Sequence, residues 1–401
     1  MNDLYMMDQR ADLTLDLTWE KDGITHRDIY HCQGFNFWRD LFPGSPLTHI
    51  IQNPSPKPTP LVPGVDIPVH DPTKIHHLSW ENLRRDAPAI HPGRFYPQGL
   101  LKGLTDIYRE NILPFRCLST NAKGFTADLN PPLAGIPAKL QLSLANPVTT
   151  QERGGSITDW MDLLMDGVGM QARHQNTPTQ FFQADAFERR APKPDPEFHK
   201  PKFPKTGQPV HHLDARARDH LTSAYQRYLV PQGKILDLMA GWASHLPEKL
   251  PLSQVHGLGL NAAELAANPR ITHPHVQDLN QNPSLPFPDA HFDAALCALS
   301  VEYLIDPIPV FKEVARILKP GKPFIVAVSN RWFPEKAIRI WEEIHDFERM
   351  GLVLEYFRAA QGFDTLSTLS LRGYPRPQDD KYYPGLQLSD PLFLITGNKK
   401  E

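Results

Sequence analysis

The sequence predicts a β-rich region followed by a doubly wound parallel α/β sheet, and two patterns support this division. Before residue 150, apolar and polar residues alternate over 11–32 and 112–144, as they do in strands with one buried face. From residue 233 onward, short apolar runs alternate with helical segments, which is typical of a parallel sheet covered by helices. We therefore expect a β-rich domain with proline-rich insertions (1–150), a linker and lid (151–210) and the α/β domain (211–401).

The composition is that of an ordinary globular chain without excess positive charge. Of the 401 residues, 40% are hydrophobic and 22% charged, and the formal net charge is −3. Because binding to nucleic acid or to a membrane surface generally needs a basic excess, we expect neither as a partner. No run approaches the ~18 apolar residues of a spanning helix. The three cysteines are far apart and form no CxxC pair, which favours a reducing cytoplasm.

Five strands and several helices are predicted after residue 210. The strands are expected at 234–239, 254–260, 275–280, 292–300 and 323–330, and the helices at 214–228, 307–321 and 334–349. Asp214 is the expected N-cap of the first of these helices. The segments FDTLSTLSLRG and PLFLITGNK close the sheet as a terminal strand pair. A further helix is predicted earlier, at 157–173.

The expected site lies beyond the carboxyl ends of the strands, where open α/β sheets bind their ligands. The segments that follow the five predicted strands are Asp237–Ala243, Gly259–Asn261, Asp278–Asn280, Cys297–Ser300 and Ser329–Arg331. We therefore expect these residues to come together around a ligand.

Two segments of this region resemble a known family. VQDLNQNPSLPFPDAHFDAAL (276–296) and VFKEVARILKPGKPFIV (310–326) resemble the class I S-adenosylmethionine (SAM)-dependent methyltransferases of type 11. The resemblance implies a Rossmann-like fold, SAM as the cofactor and an adenine contact from Asp278. The cofactor-binding residues that it implies are Asp237, Met239, Gly241, Trp242, Ser244, Gly259, Leu260, Asn261, Asp278, Leu279, Asn280 and Cys297.

The loop ILDLMAGWASHLP (235–247) departs from the family. Met239, Gly241 and Ala243 occupy the positions of its three glycines, and Gly259 stands where it has a ribose-binding acid. The loop is either decayed or rebuilt, with Glu264 or Asn261 in place of the acid. Stacking by the Trp242 indole favours a rebuilt loop. WASHLP and SNRWFPEKA also resemble segments of a group of methyltransferase-like proteins, which favours the same reading.

Three residues are candidates for the transfer step. His245 is a candidate base, or its ring caps or packs against the next helix. Tyr303 faces the acceptor or is packed, and Arg331 holds an acceptor carboxylate or phosphate or is solvated. We expect no metal, because His211 and His212 are adjacent and lack suitably spaced partners.

The N-terminal region carries a second resemblance. FTADLNPPLAGIPAKLQLSL (125–144) is similar to the end of FKBP-type peptidyl-prolyl isomerases of the SlyD kind. The segment expected to form their aromatic prolyl pocket is replaced by residues 41–64. We therefore expect an FKBP/SlyD-like module that binds a substrate or a protein partner, or a β domain that only covers the catalytic domain.

Together these observations predict a SAM-dependent methyltransferase with an unknown small-molecule or protein acceptor. The alternative is a non-catalytic methyltransferase-fold adaptor or chaperone with a degenerate prolyl-isomerase-like domain. A third reading is an active prolyl isomerase with a regulatory methyltransferase-like tail, which the replaced segment at 41–64 disfavours.

Overall fold

The computed structural model describes residues 8–40, 50, 55, 57–154, 186–188 and 211–401. The chain divides into two compact units. The first unit contains residues 1–183 and 344–351, and the second contains residues 184–343 and 352–401. The predicted domain boundaries at residues 150 and 210 stay predictions. The predicted helix at 157–173 and most of the predicted linker and lid (151–210) lie outside the described residues.

The first unit begins with a long β-hairpin, as predicted. Strand β1 (Gln9–Lys21) pairs antiparallel with β2 (Ile24–Asn36). The two residues between them, Asp22 and Gly23, have φ of 51° and 75°. Positive φ at both central residues is what a two-residue hairpin turn of type I′ requires, and it explains the glycine. Alternate residues of β1 are buried, so one face of the hairpin packs inward.

The remaining strands of the first unit form two antiparallel groups. They are β3 (Thr59–Leu61), β4 (Ile75–Ser79), β5 (Phe95–Pro97), β6 (Pro114–Asn121), β7 (Gly124–Asp128) and β8 (Ala138–Thr149). One group has the order β2-β1-β8-β3 and the other β4-β7-β6-β5. Phe115, Cys117 and Phe125 are among the buried residues that form the core beneath the second group. Strands β6 to β8 confirm the β-structure predicted over 112–144.

The second unit is a doubly wound α/β sheet. Its strands are β9 (Lys234–Leu238), β10 (Gln254–Gly259), β11 (His273–Val276), β12 (Ala294–Ala298), β13 (Pro323–Val328), β14 (Phe363–Arg372) and β15 (Leu392–Lys399). They lie in the order β11-β10-β9-β12-β13-β15-β14. The first five are parallel, and β15 runs antiparallel to both of its neighbours. The order reverses between β9 and β12, which is the switch point at which such sheets bind ligands.

Four helices and the last part of a fifth belong to this unit. They are α1 (Ala215–Tyr228), α2 (Ala262–Ala267), α3 (Pro307–Ile317), α4 (Arg339–Glu343) and, from residue 352 onward, α5 (Asp346–Ala360). The Asp214 side chain accepts a hydrogen bond from the Ala217 amide, so this residue is the N-cap of α1, as predicted. Within the described residues, no helix is both long and apolar enough to cross a membrane.

Two predicted elements differ in the structure. The strand expected at 275–280 is His273–Val276, because the Asp278 side chain and carbonyl accept amides of the following residues and form a turn. The helix expected at 334–349 is two helices, α4 and α5. The Glu348 side chain accepts a hydrogen bond from the His345 amide, and this capping contact begins α5 at a new point.

Candidate functional site

The loop after β9 keeps the backbone of a nucleotide-binding turn with only one glycine. Met239, the first loop residue, has φ of 56°. Non-glycine residues adopt this left-handed region at a cost of roughly 1–2 kcal/mol, so surrounding contacts must hold it there. The Ala240 amide donates to the Leu258 carbonyl of β10 at 2.8 Å, which ties the turn to the neighbouring strand.

A buried polar network fixes the rest of this loop. Asn268, just after α2, donates from its side-chain amide to the Gly241 carbonyl at 2.8 Å and to the Ser244 hydroxyl at 2.9 Å. Ser244 in turn hydrogen-bonds the Asp237 carboxyl at the end of β9. Three hydrogen bonds therefore hold this part of the loop. Two of them come from Asn268, a residue that was not predicted from the sequence.

Asp237 is the unusual member of this network. Its side chain is buried, and burial raises the pKa of the carboxyl to about 7, although the Ser244 hydrogen bond opposes the shift. One carboxyl oxygen, Oδ2, has no hydrogen-bond partner among the described residues. An unsatisfied buried oxygen at the end of a central strand is a feature expected at a ligand site.

The missing ribose acid has a steric explanation. A Cβ atom at Gly259 would lie 2.3 Å from the Ala240 carbonyl oxygen, so no side chain fits at this position. A carboxylate approaches the same loop from α2 instead. The Glu264 Oε2 atom lies 3.5 Å from the point where a Cβ of Gly241 would stand. The Asn261 side-chain oxygen caps α2 by accepting the Ala263 and Glu264 amides.

The predicted adenine-side residues form a compact turn after β11. The Asp278 carboxyl accepts the Asn280 amide at 2.9 Å and the Gln281 side-chain amide at 3.0 Å. Asn280 donates to the Tyr303 carbonyl at 3.0 Å and accepts the Ile305 amide at 2.9 Å, which joins this turn to the segment after β12. Leu279 is buried beside it, and the adenine role of Asp278 stays a prediction.

Cys297, on β12, is also buried. Burial raises the pKa of its thiol well above the ordinary value, so the side chain is a neutral, small apolar group. Leu260, which follows β10, is half-buried.

A cavity of about 260 Å³ lies beyond β12 and β13. The residues that line it are His211, His212, Leu299, Tyr303, Asn330, Arg331, Trp332, Phe333, Lys381 and Tyr382. The structure thus brings together the two predicted residues Tyr303 and Arg331. One edge of the lining is joined to the loop after β9, because Ser300, next to Leu299, donates to the Met239 carbonyl at 3.5 Å.

Arg331 and Tyr303 are both held by neighbours. Arg331 Nε lies 3.6 Å from the Asp390 carboxyl, and its guanidinium carbon lies 4.4 Å from the centre of the Tyr382 ring. The Tyr303 hydroxyl accepts the Phe333 amide at 3.1 Å. Burial, with the nearby Glu302 carboxylate, raises the pKa of Tyr303 far above the ordinary value, so this phenol stays protonated at neutral pH.

His245 belongs to the loop after β9, and two residues of the cavity lining, His211 and His212, lie near it. Its carbonyl accepts the Thr222 hydroxyl of α1 at 3.0 Å, and no helix begins at this residue. Burial, with the neighbouring His211, Arg218 and His212 side chains, lowers the pKa of His245 to about 4. The imidazole is therefore neutral at pH 7 and is a weak base.

Several lining residues were not identified from sequence. Trp332 and Phe333 belong to the segment SNRWFPEKA (329–337), whose resemblance to other proteins did not predict a role for either residue. Lys381 and Tyr382 belong to the long connection between β14 and β15, where the basic and aromatic KYY stretch is the only available signal. In the part of the chain that the structure describes, no group of three His, Cys, Asp or Glu side chains is arranged to hold a metal ion.

The sequence of the second unit matches a known domain. Residues 238–326 match a family model described as a methyltransferase domain, and this part of the chain forms a Rossmann-like sheet. The match covers the loop after β9 and the strands through β13. SAM is the cofactor of this domain, which confirms the cofactor prediction. No curated protein sequence matches the chain.

Solved structures of methyltransferases overlay on nearly half of the chain. A methyltransferase from Haloferax volcanii, solved with a methyltransferase activator, is 20% identical, with 46% of this chain and 91% of that chain covered and a TM-score of 0.35. A SAM-dependent methyltransferase from Thermotoga maritima is 20% identical, with coverages of 46% and 89% and a TM-score of 0.35. Geranyl diphosphate C-methyltransferase from Streptomyces coelicolor is 16% identical, with coverages of 46% and 77% and a TM-score of 0.31. At these TM-scores the likeness carries no weight for the function.

Proposed function

We propose that this protein is a SAM-dependent methyltransferase whose second unit binds the cofactor at the loop after β9 and the acceptor in the cavity beyond β12 and β13. The observation that carries the proposal is the buried network that joins Asp237, Ser244, Asn268 and Gly241. A decayed loop would be expected to lose such long-range contacts, because buried polar groups without partners are costly.

The residues around the loop fit the cofactor. The absence of a side chain at Gly259 lets the Ala240 carbonyl pack against β10, and Glu264 brings a carboxylate to the loop in place of the missing acid. In our proposal Glu264 binds the ribose hydroxyls, Trp242 stacks on the cofactor, and Asp278 with Leu279 holds the adenine.

The cofactor, when bound, supplies a methyl group on a sulfonium sulfur to an acceptor atom with a lone pair. This displacement requires positioning first, and a base only when the acceptor carries a proton. His211 and His212 line the cavity, and partial burial together with nearby positive charges lowers the pKa of both imidazoles. They are therefore neutral at pH 7, and either can accept such a proton. Arg331 and Tyr303 orient the acceptor.

Titration calorimetry with SAM and its demethylated product tests the proposal. We expect micromolar binding of both nucleotides, weakened about tenfold or more by Glu264→Gln, because a charge-assisted hydrogen bond contributes about 1.5–3 kcal/mol. Glu248→Gln is the matched control, because Glu248 is exposed and lies at the far end of the same loop. Trp242→Ala tests the stacking contact, with an expected loss of about 0.5–2 kcal/mol.

Absence of binding to either nucleotide would refute the enzyme proposal and favour the non-catalytic adaptor. Equal affinities of the Glu264 and Glu248 variants would refute the ribose role of Glu264 alone.

For the first unit we propose a binding role, for a substrate or a protein partner. A cleft of about 440 Å³ in this unit is lined mainly by apolar residues, among them Leu104, Ile107, Leu113 and Leu129. Pro131 and Pro132, which belong to the FKBP/SlyD-like phrase, also line it. An apolar cleft of this size suits a peptide or small-molecule side chain. Isomerisation of prolyl peptides by this protein would support the third reading instead.

A further inference from the structure

The cavity beyond β12 and β13 has an unusual lining. Four of its ten lining residues are aromatic, namely Tyr303, Trp332, Phe333 and Tyr382. Two, Arg331 and Lys381, are permanent cations, and none is acidic. Side chains of this kind favour a ligand that combines a negative charge with a flat apolar surface.

Two of the four aromatic rings are already contacted by cations of the protein itself. The Lys336 ammonium lies 5.1 Å from the centre of the Phe333 ring. Tyr382 is approached by the Arg331 guanidinium at 4.4 Å and by the Lys381 ammonium at 4.8 Å. A cationic ligand at these two rings would have to displace the contacts and would meet like charges at short range. The charges at Phe333 and Tyr382 therefore favour an anion over an amine.

The two lining cations keep donors for a ligand. The Asp390 carboxyl is held most closely by Arg376, at 2.5 Å, whereas Arg331 Nε lies 3.6 Å away from it, beyond hydrogen-bond distance. Arg331 and Lys381 also hydrogen-bond the Tyr382 hydroxyl oxygen. A guanidinium has five N–H donors and an ammonium has three, so both cations retain donors for an anion. Lys381 is exposed and forms no ion pair with a carboxylate of the described residues.

We infer that the cavity is the acceptor site and binds a small molecule that carries a carboxylate on an aromatic ring. Arg331 and Lys381 bind the carboxylate, and Trp332 with Phe333 contacts the ring. The volume of about 260 Å³ is just below the ~300–1,000 Å³ of common small-molecule sites, which fits a one-ring acceptor. The identification of this ligand as a methyl acceptor rests on the proposed function, whereas its binding does not.

Ligand-observed NMR titrations of the full chain test this inference with two probes of equal size and opposite charge, benzoate and benzylamine. We expect benzoate to bind and benzylamine not to bind. Lys381→Gln and Arg331→Gln should each weaken benzoate binding about tenfold, through loss of one charge-assisted contact. Lys312→Gln, on the exposed face of α3, is the matched control and should leave it unchanged. Because Lys381 is exposed, its variant tests the site even if the Arg331 variant is unstable.

Equal or tighter binding of benzylamine, absence of benzoate binding, or the same benzoate affinity in the Lys381 and Lys312 variants would each overturn the inference. A parallel SAM titration separates this result from the proposed function. Benzoate binding without SAM binding would remove the methyltransferase proposal and leave the anion site. SAM binding without a preference for benzoate over benzylamine would remove the anion site and leave the methyltransferase proposal.

Discussion

The two sides of the site are held in different ways. On the proposed cofactor side, the loop after β9 is fixed by buried hydrogen bonds to Asn268 and by direct contact between the backbones of Ala240 and Gly259. On the proposed acceptor side, the cavity is built from long charged and aromatic side chains that are partly exposed, such as Arg331 and Tyr382. Backbone contacts tolerate few substitutions, whereas exposed side chains can change one at a time. This contrast is expected where one ligand is fixed and the other varies between related proteins.

The largest expected effect is on the pH dependence of the folding stability, and it comes from Asp237. The folded-state pKa of its carboxyl is about 7, above the ordinary value of 3.8. A group whose pKa is raised by folding contributes its full stabilisation at pH values below its pKa in the unfolded chain. That contribution is lost as the pH rises through its pKa in the folded protein. Between about pH 4 and pH 7 the wild type should therefore lose stability relative to Asp237→Asn, by on the order of 4 kcal/mol.

Urea denaturation of both proteins without cofactor, at several pH values, measures this difference. Burial, with nearby positive charges, lowers the pKa of His245 and His256 to about 4, so both histidines add the opposite pH dependence. Both proteins contain them, so their contribution cancels in the difference. A difference that does not vary with pH would show that the Asp237 carboxyl is ionised in the folded protein throughout this pH range. It would contradict a buried, protonated carboxyl at the end of β9.

The second prediction tests the backbone contact. Gly259→Ala places a methyl group 2.3 Å from the Ala240 carbonyl oxygen, so the loop must move. We expect a loss of about 2–3 kcal/mol in stability. Gly241→Ala is the matched control in the same loop, because its Cβ would meet only Glu264 Oε2, at an ordinary 3.5 Å. Thermal unfolding without cofactor compares the stability of the two variants, and equal losses would contradict the close approach.

The third prediction concerns the hydrogen bonds of the loop. Ser244→Ala removes the partner of Asn268 and the donor to Asp237, which should weaken SAM binding by about 1–2 kcal/mol. Benzoate binding in the cavity should stay unchanged, because the two sides are held independently. Ser253→Ala, at an exposed position before β10, serves as the control. If Ser244→Ala weakened both ligands equally, the loop and the cavity would be a single cooperative structure and the comparison would fail.

The sheet of the second unit was predictable because each strand is a short apolar run between turn residues, and such runs interspersed with helices are typical of a doubly wound parallel sheet. The division of 334–349 into α4 and α5 was not, because it depends on a cap from Glu348 to His345 that periodicity does not reveal. The site followed the same pattern. Residues at strand ends, such as Asp237 and Arg331, were predicted because topology gathers strand ends. Asn268 and Lys381 were missed, because their positions depend on a helix end and a long connection without a periodic pattern.

The contact between Gly259 and Ala240 limits which substitutions position 259 can accept during evolution. Every glycine codon becomes an Asp or Glu codon by a single base change, so a carboxylate at position 259 is within reach of one mutation. The Ala240 carbonyl, 2.3 Å from the first atom of any such side chain, closes that route. A carboxylate at position 259 therefore requires the loop to shift as well, and the loop is also held by the hydrogen bond from Asn268 to the Gly241 carbonyl. Substitutions in the loop and in strand β10 should for this reason occur together.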